Sequence, residues 1–569
     1  MSLPSLRALA ASRIIQLAPD EKELNEKLDE NSKEYIEVIK TYLSNIAAYF
    51  SASDFNEEYF LDLFHLTHFN IRDRRSPEIT KNLSKYLRKA ALKNYKIISD
   101  NLIKEGFDLL TWGSKNENAF IVKAIQGDTE DLLLLSKDLN VSEIEDMKSV
   151  TPLMYAAANG HTETVITLIK LGSLIALPYS SKTALALAVE AGHIETAKTL
   201  VELGAQIDCE DIYGMTALML AAEAGQIEKV KILVWLGAQI DFSHNFIKTS
   251  LIFAAENGHT ETAKTLVGLG AQIDFSGNFK KTALIFAAEN GHTETAKTLV
   301  GLGAQIDFSD NFKKTALIFA AENGHTETAK TLVGLGAQID FQEIHGMTAL
   351  MWAANNGKTE TAKTLVRLGA FIDFQDINAG GLTALMRAAY EGKTETVKAL
   401  ISLGASIDKR SNNGKTALMQ AATHGHTETV KALIEMGAQI DIQDVTGWTA
   451  LMWAAKNGYT EMVKTLIRLG AFIDFQDNDG KTALMWAVEW GETETVKALI
   501  EMRAQIDIQD NDGKTALMWA VENGITDIVK ILRAELYYKK LKSTCYKFAI
   551  PIILGVGAYL FFRSREMSY

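Results

Sequence analysis

The sequence predicts an all-α solenoid of stacked helix pairs, and three observations carry that prediction. The stretch from Thr249 to Met347 is one unit of 33 residues written three times without a gap. A repeat of that length is a solenoid period and not a domain period. Twelve clear units run in phase, starting at Thr151, Thr183, Thr216, Thr249, Thr282, Thr315, Thr348, Thr383, Thr416, Thr449, Thr482 and Thr515. Each unit holds two short amphipathic segments, and neither can bury its apolar stripe alone, so neighbouring copies must stack.

The elements of one unit follow from its punctuation. Thr249, Thr282 and Thr315 stand where helix N-caps belong, and Gly258, Gly291 and Gly324 where a glycine just past the helix belongs. Gly270, Gly303 and Gly336 close the second helix in the same way. The AQIDF piece that follows is too short for a third helix and reads as an extended finger returning to the next Thr. The pattern T-[AP]-L, A-A, N-G-H, V/T-x-L, L-G-A and an Asp before the turn resembles the ankyrin repeat position by position. This chain usually has Ala where that family prefers Pro, and Met or Ile where it prefers His. Loss of that His predicts a weaker tie between helix start and loop. The resemblance implies helix-turn-helix pairs with β-hairpin fingers. It also implies first helices lining a concave trough, and a protein-binding scaffold without enzymatic activity or cofactor.

Residues 1–115 lack the repeat and show helical patches at 34–50, 57–69 and 78–107, a small helical domain expected to cover the first apolar face of the array. Ser5, Leu6, Leu9, Ala10 and Ile14 also have the spacing of the short SOCS-box helix that docks an elongin-type ubiquitin-ligase adaptor. The alternative is an amphipathic capping helix. Residues 116–535 form the repeat array, opening with a degenerate unit near Glu117. Two joints depart from the period: ALPYSS replaces a Gly-bearing finger before Thr183, and NAGG lengthens the finger before Thr383. Arg503 replaces the Gly that ends a second helix, where φ > 0 is expected at a cost of about 1 kcal/mol.

Residues 536–547 read as a basic linker, 548–562 as a transmembrane segment and 563–569 as a short tail. Phe548 to Phe562 carries no charge and, as a helix, spans about 22 Å against a hydrocarbon core of roughly 30 Å. Lys539, Lys540, Lys542 and Lys547 before it, and Arg563 and Arg565 after it, fit a membrane segment better than a buried C-terminal cap. The arrangement resembles a tail-anchored protein, array in the cytosol, at the mitochondrial outer membrane or endoplasmic reticulum.

Composition narrows the function. A net charge of −13 argues against a nucleic-acid groove and favours a basic partner. Only Cys209 and Cys545 are present, too few for a disulfide framework. His65 and His68 have helical metal-pair spacing with Asp62 nearby, but that domain has no further His and no Cys, and no Walker, dinucleotide or nucleophile-elbow motif occurs. His161, His193, His259, His292, His325 and His426 fill the N-G-H slot that joins consecutive loops. No catalytic, metal or cofactor residue is assigned.

Two positional series are candidate partner contacts. Four residues after the Thr, the first helix places Tyr155, Phe253, Phe286, Phe319, Trp352, Trp453, Trp486 and Trp519, interrupted by Leu187, Leu220, Arg387 and Gln420. Aromatics and Arg are common interface anchors, though such side chains can also simply stack between repeats. At the finger tips, three units present Phe246, Phe279 and Phe312, with Lys280 and Lys313 beside two of them. An exposed Phe at a turn calls for a cover, and tandem copying of one parent unit is the competing explanation. These residues define a protein or peptide site in the trough and along the tips. The reading is a membrane-tethered scaffold. Its rivals are a ubiquitin-ligase substrate receptor, an effector released by an intracellular bacterium, and an unfamiliar catalytic domain within residues 1–115.

Overall fold

The computed structural model describes residues 115–145, 150–175, 183–211, 213–243 and 248–541. The expected N-terminal domain, apart from residue 115, lies outside them, with its SOCS-box-like helix and His65 and His68. Phe246 and the expected span 548–562 lie outside them too. Among the described residues no helix is long and apolar enough to cross a membrane. Two compact units are present, Met1–Phe253 with Thr265–Ala271, and Ala254–Lys264 with Gln272–Tyr569. The described residues of each are built from the same module.

In the C-terminal unit the module is clearest. Its first helix is Ala283–Glu289 and its second Thr293–Gly301. Thr282 sits at the N-cap with extended backbone, and its Oγ1 accepts the Ile285 N–H at 3.4 Å. Thr315, Thr348, Thr383, Thr416, Thr449, Thr482 and Thr515 cap in the same way. Thr249 differs, its buried hydroxyl lacking a partner. The residue that replaces the family's His is not idle everywhere. The Thr449 N–H donates to Met452 Sδ at 3.4 Å, restoring part of the expected tie.

First helices pack on first helices, Ala283–Glu289 against Ala316–Asn323 and so on to Ala516–Glu522, while second helices pack on second helices. The small A-A pair lets the rods approach: Ala287, Ala288, Ala320 and Ala321 are fully buried, together with Leu284, Ile285 and Leu299. Three polar ties fix the register between copies. The His325 ring nitrogen Nε2 hydrogen-bonds the Glu289 carbonyl at 2.9 Å, and His292 does the same to Glu256. That is the loop-joining role the N-G-H slot predicts. The ring lies on Gly291, whose φ is +76°, and a Cβ there would come within 2.5 Å of it. Threonine hydroxyls at the second-helix starts pair along the stack, Thr293 with Thr328 and Thr326 with Thr361, each at 2.7 Å. Finally, the carboxylate of AQID accepts the backbone N–H of the next copy, Asp340 from Phe371 and Asp441 from Phe472, both at 3.1 Å. Burial pushes these two carboxyls up, and the backbone bond pulls the other way.

The N-terminal unit repeats the scheme with a worn first copy. Lys115–Gln126 and Thr129–Leu135 form its pair, and the first packs on Pro152–Ala158. His161 reaches the Ile125 carbonyl at 3.0 Å, and Asp208 accepts the Gln239 N–H at 3.1 Å.

The fingers correct one expectation. They are not β-hairpins: the described residues contain no strand, and an isolated antiparallel bridge joins Ser309 and Thr315. Each described finger is too short for a ladder, and most are closed by a side chain instead. The one at Gly277 is closed by the Lys280 N–H to the Gly277 carbonyl at 2.8 Å. Asp310 Oδ1 accepts the N–H groups of Phe312 (2.9 Å) and Lys314 (2.8 Å), and the Asp310 N–H donates to the Lys314 carbonyl. Successive tips share single backbone bonds, such as Ile344 N–H to the Phe312 carbonyl at 3.0 Å. Arg503 has φ +73°, as its place in a Gly position predicts. The C-terminal pair has no finger. The helix beginning at residue 526 continues through residue 541, so the first half of the expected basic linker is helical.

Candidate functional site

The first-helix aromatics do not stand alone, because in several units a lysine one residue before the Thr is threaded between them. In the C-terminal unit Lys281 Nζ lies 5.5 Å from the Phe286 ring centre and 4.2 Å from that of Phe319. Lys314 bridges Phe319 and Trp352 at 5.5 and 3.5 Å, and Lys481 bridges Trp486 and Trp519 at 4.5 and 4.0 Å. In the N-terminal unit Lys248 lies over Phe253. A cation over an aromatic face is attracted by the ring quadrupole, worth about 0.5–2 kcal/mol depending on desolvation. Three of these lysines also meet a glutamate eight residues on, Lys281 with Glu289, Lys314 with Glu322 and Lys481 with Glu489, at 2.8, 2.7 and 2.6 Å. The wall is therefore an alternating ladder of rings and ammonium groups, mostly half-buried. Phe319 and Tyr155 are buried.

The tryptophan rungs are tied to the fingers as well. Nε1 of Trp453, Trp486 and Trp519 donates to Asp444, Asp477 and Asp510 at 3.0, 2.8 and 2.7 Å. The other carboxylate oxygen of each Asp closes the finger turn. Burial pushes the Asp477 carboxyl up, while bonds from Lys481, Trp486 and Asp479 oppose it. Arg387 takes the ring's place in the lengthened finger and pairs with the buried Asp376 at 2.7 Å. One terminal nitrogen of Arg387 is thus held in an internal ion pair, while its buried Nε has no acceptor. Trp352 is the exception. Its finger carries Glu343, whose Oε1 closes the turn onto His345 and Met347, and the buried Trp352 Nε1 has no acceptor.

The finger tips behave differently from the wall. Phe279 and Phe312 are 60% and 58% exposed, and Lys280 and Lys313 beside them are exposed with φ of +53° and +60°. Most other fingers have Gly at that backbone position, so the lysines hold a left-handed turn at a cost. The row extends beyond the residues the sequence singles out: Ile344 and Ile377 are 46% and 67% exposed at the next two tips. Their offsets from the following Thr differ from that of Phe312, which hides them from a position-by-position reading. Phe253 lies in the N-terminal unit, apart from Phe279, Phe286, Phe312 and Phe319.

No group of His, Cys, Asp or Glu among the described residues could hold a metal ion. The stacked pairs, register bonds and side-chain-closed fingers define a helix-pair repeat protein with a laterally exposed tip row. The family model described as ankyrin repeats (3 copies) matches residues 87–211, 173–245, 251–343, 335–411, 385–477 and 451–542. The chain belongs to the ankyrin-repeat family, whose members generally bind protein partners. No curated protein matches it.

Two single substitutions separate the bonded from the unbonded rung. Trp486→Phe leaves a buried oxygen of Asp477 without its donor and is expected to cost about 1–3 kcal/mol. Trp352→Phe removes an N–H that already lacks an acceptor and is expected to cost distinctly less. Urea unfolding of both variants measures the difference. Equal losses would mean that ring size alone governs the ladder.

Proposed function

We propose that the chain is a non-enzymatic scaffold that captures an extended or helical segment of a partner protein along the finger tips of its C-terminal unit, next to the aromatic wall. The observation that carries this reading is the row Phe279, Phe312, Ile344 and Ile377, successive apolar side chains presented to solvent at turns. Such a row is unfavourable unless something covers it, and tip side chains add little to helix stacking. The wall rings Phe286, Phe319 and Trp352, with their lysines, form the adjacent boundary of the site, and Lys280 and Lys313 its rim. Trp453, Trp486 and Trp519 continue the wall. A resident protein segment suits this surface better than a small molecule, because the contacts are spread along a line rather than gathered in a cavity. The finer proposal is attachment to a membrane through residues 548–562, supported by their uncharged run between basic flanks.

The partner site is tested by replacing both tip phenylalanines. Phe279→Ser with Phe312→Ser should leave the melting temperature nearly unchanged and weaken capture of the partner by several kcal/mol, as for interface anchors. Unchanged affinity would mean that the row is an inherited copy without a role in binding. Tethering has its own test. Deleting residues 544–569 should turn a carbonate-resistant membrane protein into a folded soluble one. A full-length protein that is already carbonate-extractable contradicts attachment through this segment.

A further inference from the structure

The ladder reverses its charge pattern at one place. At four places in the C-terminal unit the lysine before the Thr is paired with a glutamate eight residues on, Lys281, Lys314, Lys481 and Lys514, while Met347 and Leu382 stand before Thr348 and Thr383. At Thr416 the lysine is kept as Lys415, but the matching residue is Thr423. At Thr449 the lysine is replaced by Trp448 and the glutamate by Lys456. Among the described residues neither Lys415 nor Lys456 has a carboxylate at ion-pair distance.

What surrounds these two ammonium groups is indole. Lys415 Nζ lies 3.3 Å from the Trp453 ring centre, and Lys456 Nζ lies 5.3 Å from the same ring. Lys456 is also 5.2 Å from Trp448 and 4.6 Å from Trp490. Trp448 is buried and packs at 4.5 Å on Trp453 and 4.2 Å on Trp486, so the rings are held in place. Trp490, by contrast, is 57% exposed. The acid whose charge Lys415 feels, Asp444, already accepts from Thr446, Trp448 and the Trp453 indole. Burial lowers the Lys415 pKa; Asp444 opposes this and the neighbouring Lys456 adds to it. Two half-buried cations on one ring, one of them in the field of Asp444 and neither with a carboxylate at ion-pair distance, form a site short of an anion.

We propose that Lys415 and Lys456, on the floor of Trp448 and Trp453 and beside the exposed Trp490, bind an acidic peptide segment of a partner protein. A carboxylate of that segment sits between the two ammonium groups, and an adjacent apolar side chain covers Trp490. This deepens the protein-binding reading and rests on it. It also inverts, at this one place, the preference for basic partners that the overall charge of −13 sets. Rigid aromatic surroundings favour the peptide over a free carboxylate, because half of the contact is apolar.

Random linear peptides displayed on phage and selected against the immobilised full chain test it. Recovered peptides should be enriched in Asp or Glu beside Leu or Phe, and their binding should weaken with added salt. Synthetic copies should lose roughly tenfold or more in affinity for K415Q/K456Q and keep it for K415R/K456R, which preserves charge and stacking. Peptides whose binding is indifferent to K415Q/K456Q would overturn the acidic site. If those same peptides are lost on F279S/F312S, the scaffold reading stands without it. Recovery of no binding peptide overturns both.

Discussion

Helices of seven and nine residues, such as Ala283–Glu289 and Thr293–Gly301, are too short to persist alone in water. Everything in this protein depends on that deficit being met by the next copy. The apolar faces meet at Ala-Ala pairs, which bring the rods close. The polar ties of His325, Thr326 and Asp340 then fix where each copy sits on its neighbour. None of these bonds is strong, since each exchanges protein for water partners and nets about 1 kcal/mol. Their effect is on register. A copy that slipped would leave a buried hydroxyl, a carboxylate and a carbonyl unmet at once.

The same economy links fold to surface. One finger acid closes its turn with one oxygen and holds the tryptophan of the following helix with the other, as Asp477 and Asp510 do. The wall is therefore braced from the tips, and a ring that would otherwise rotate is fixed in a ladder of cations. Where the acid is Glu343, the tie to Trp352 is missing. Where the ring is Arg387, a buried ion pair with Asp376 takes over and carries the lengthened finger. Bracing holds Trp453, Trp486 and Trp519, whereas Phe286 and Phe319, in the copies whose tips present Phe279 and Phe312 to solvent, have only their lysines.

Much of the module is legible in the sequence because its signals are local. Thr caps, the glycines after each helix and the left-handed backbone of Arg503 each follow from one residue in one position. The N-G-H histidines are legible through the resemblance. The fingers are not: whether a returning loop is a hairpin or a side-chain-closed turn depends on which oxygen Asp310 directs at which N–H. The threaded lysines are missed for a related reason. Lys281 and Phe319 are remote in sequence and meet only when copies stack. Ile377 escapes because the NAGG insertion shifts its offset from Thr383. Phe246, residues 1–114 and 548–562 lie outside the described residues, so the expectations placed there rest on sequence alone.

The central claim is that the fold is held by neighbour-to-neighbour stacking, with no element stable by itself. Native-state hydrogen exchange across the C-terminal unit tests this most directly, because it reads opening free energy residue by residue. Interior helices such as Ala316–Asn323 and Ala384–Tyr390 should exchange slowest, with protection falling in steps toward Ala516–Glu522 and the helix that follows. A single opening free energy shared by every helix of the unit would contradict the account.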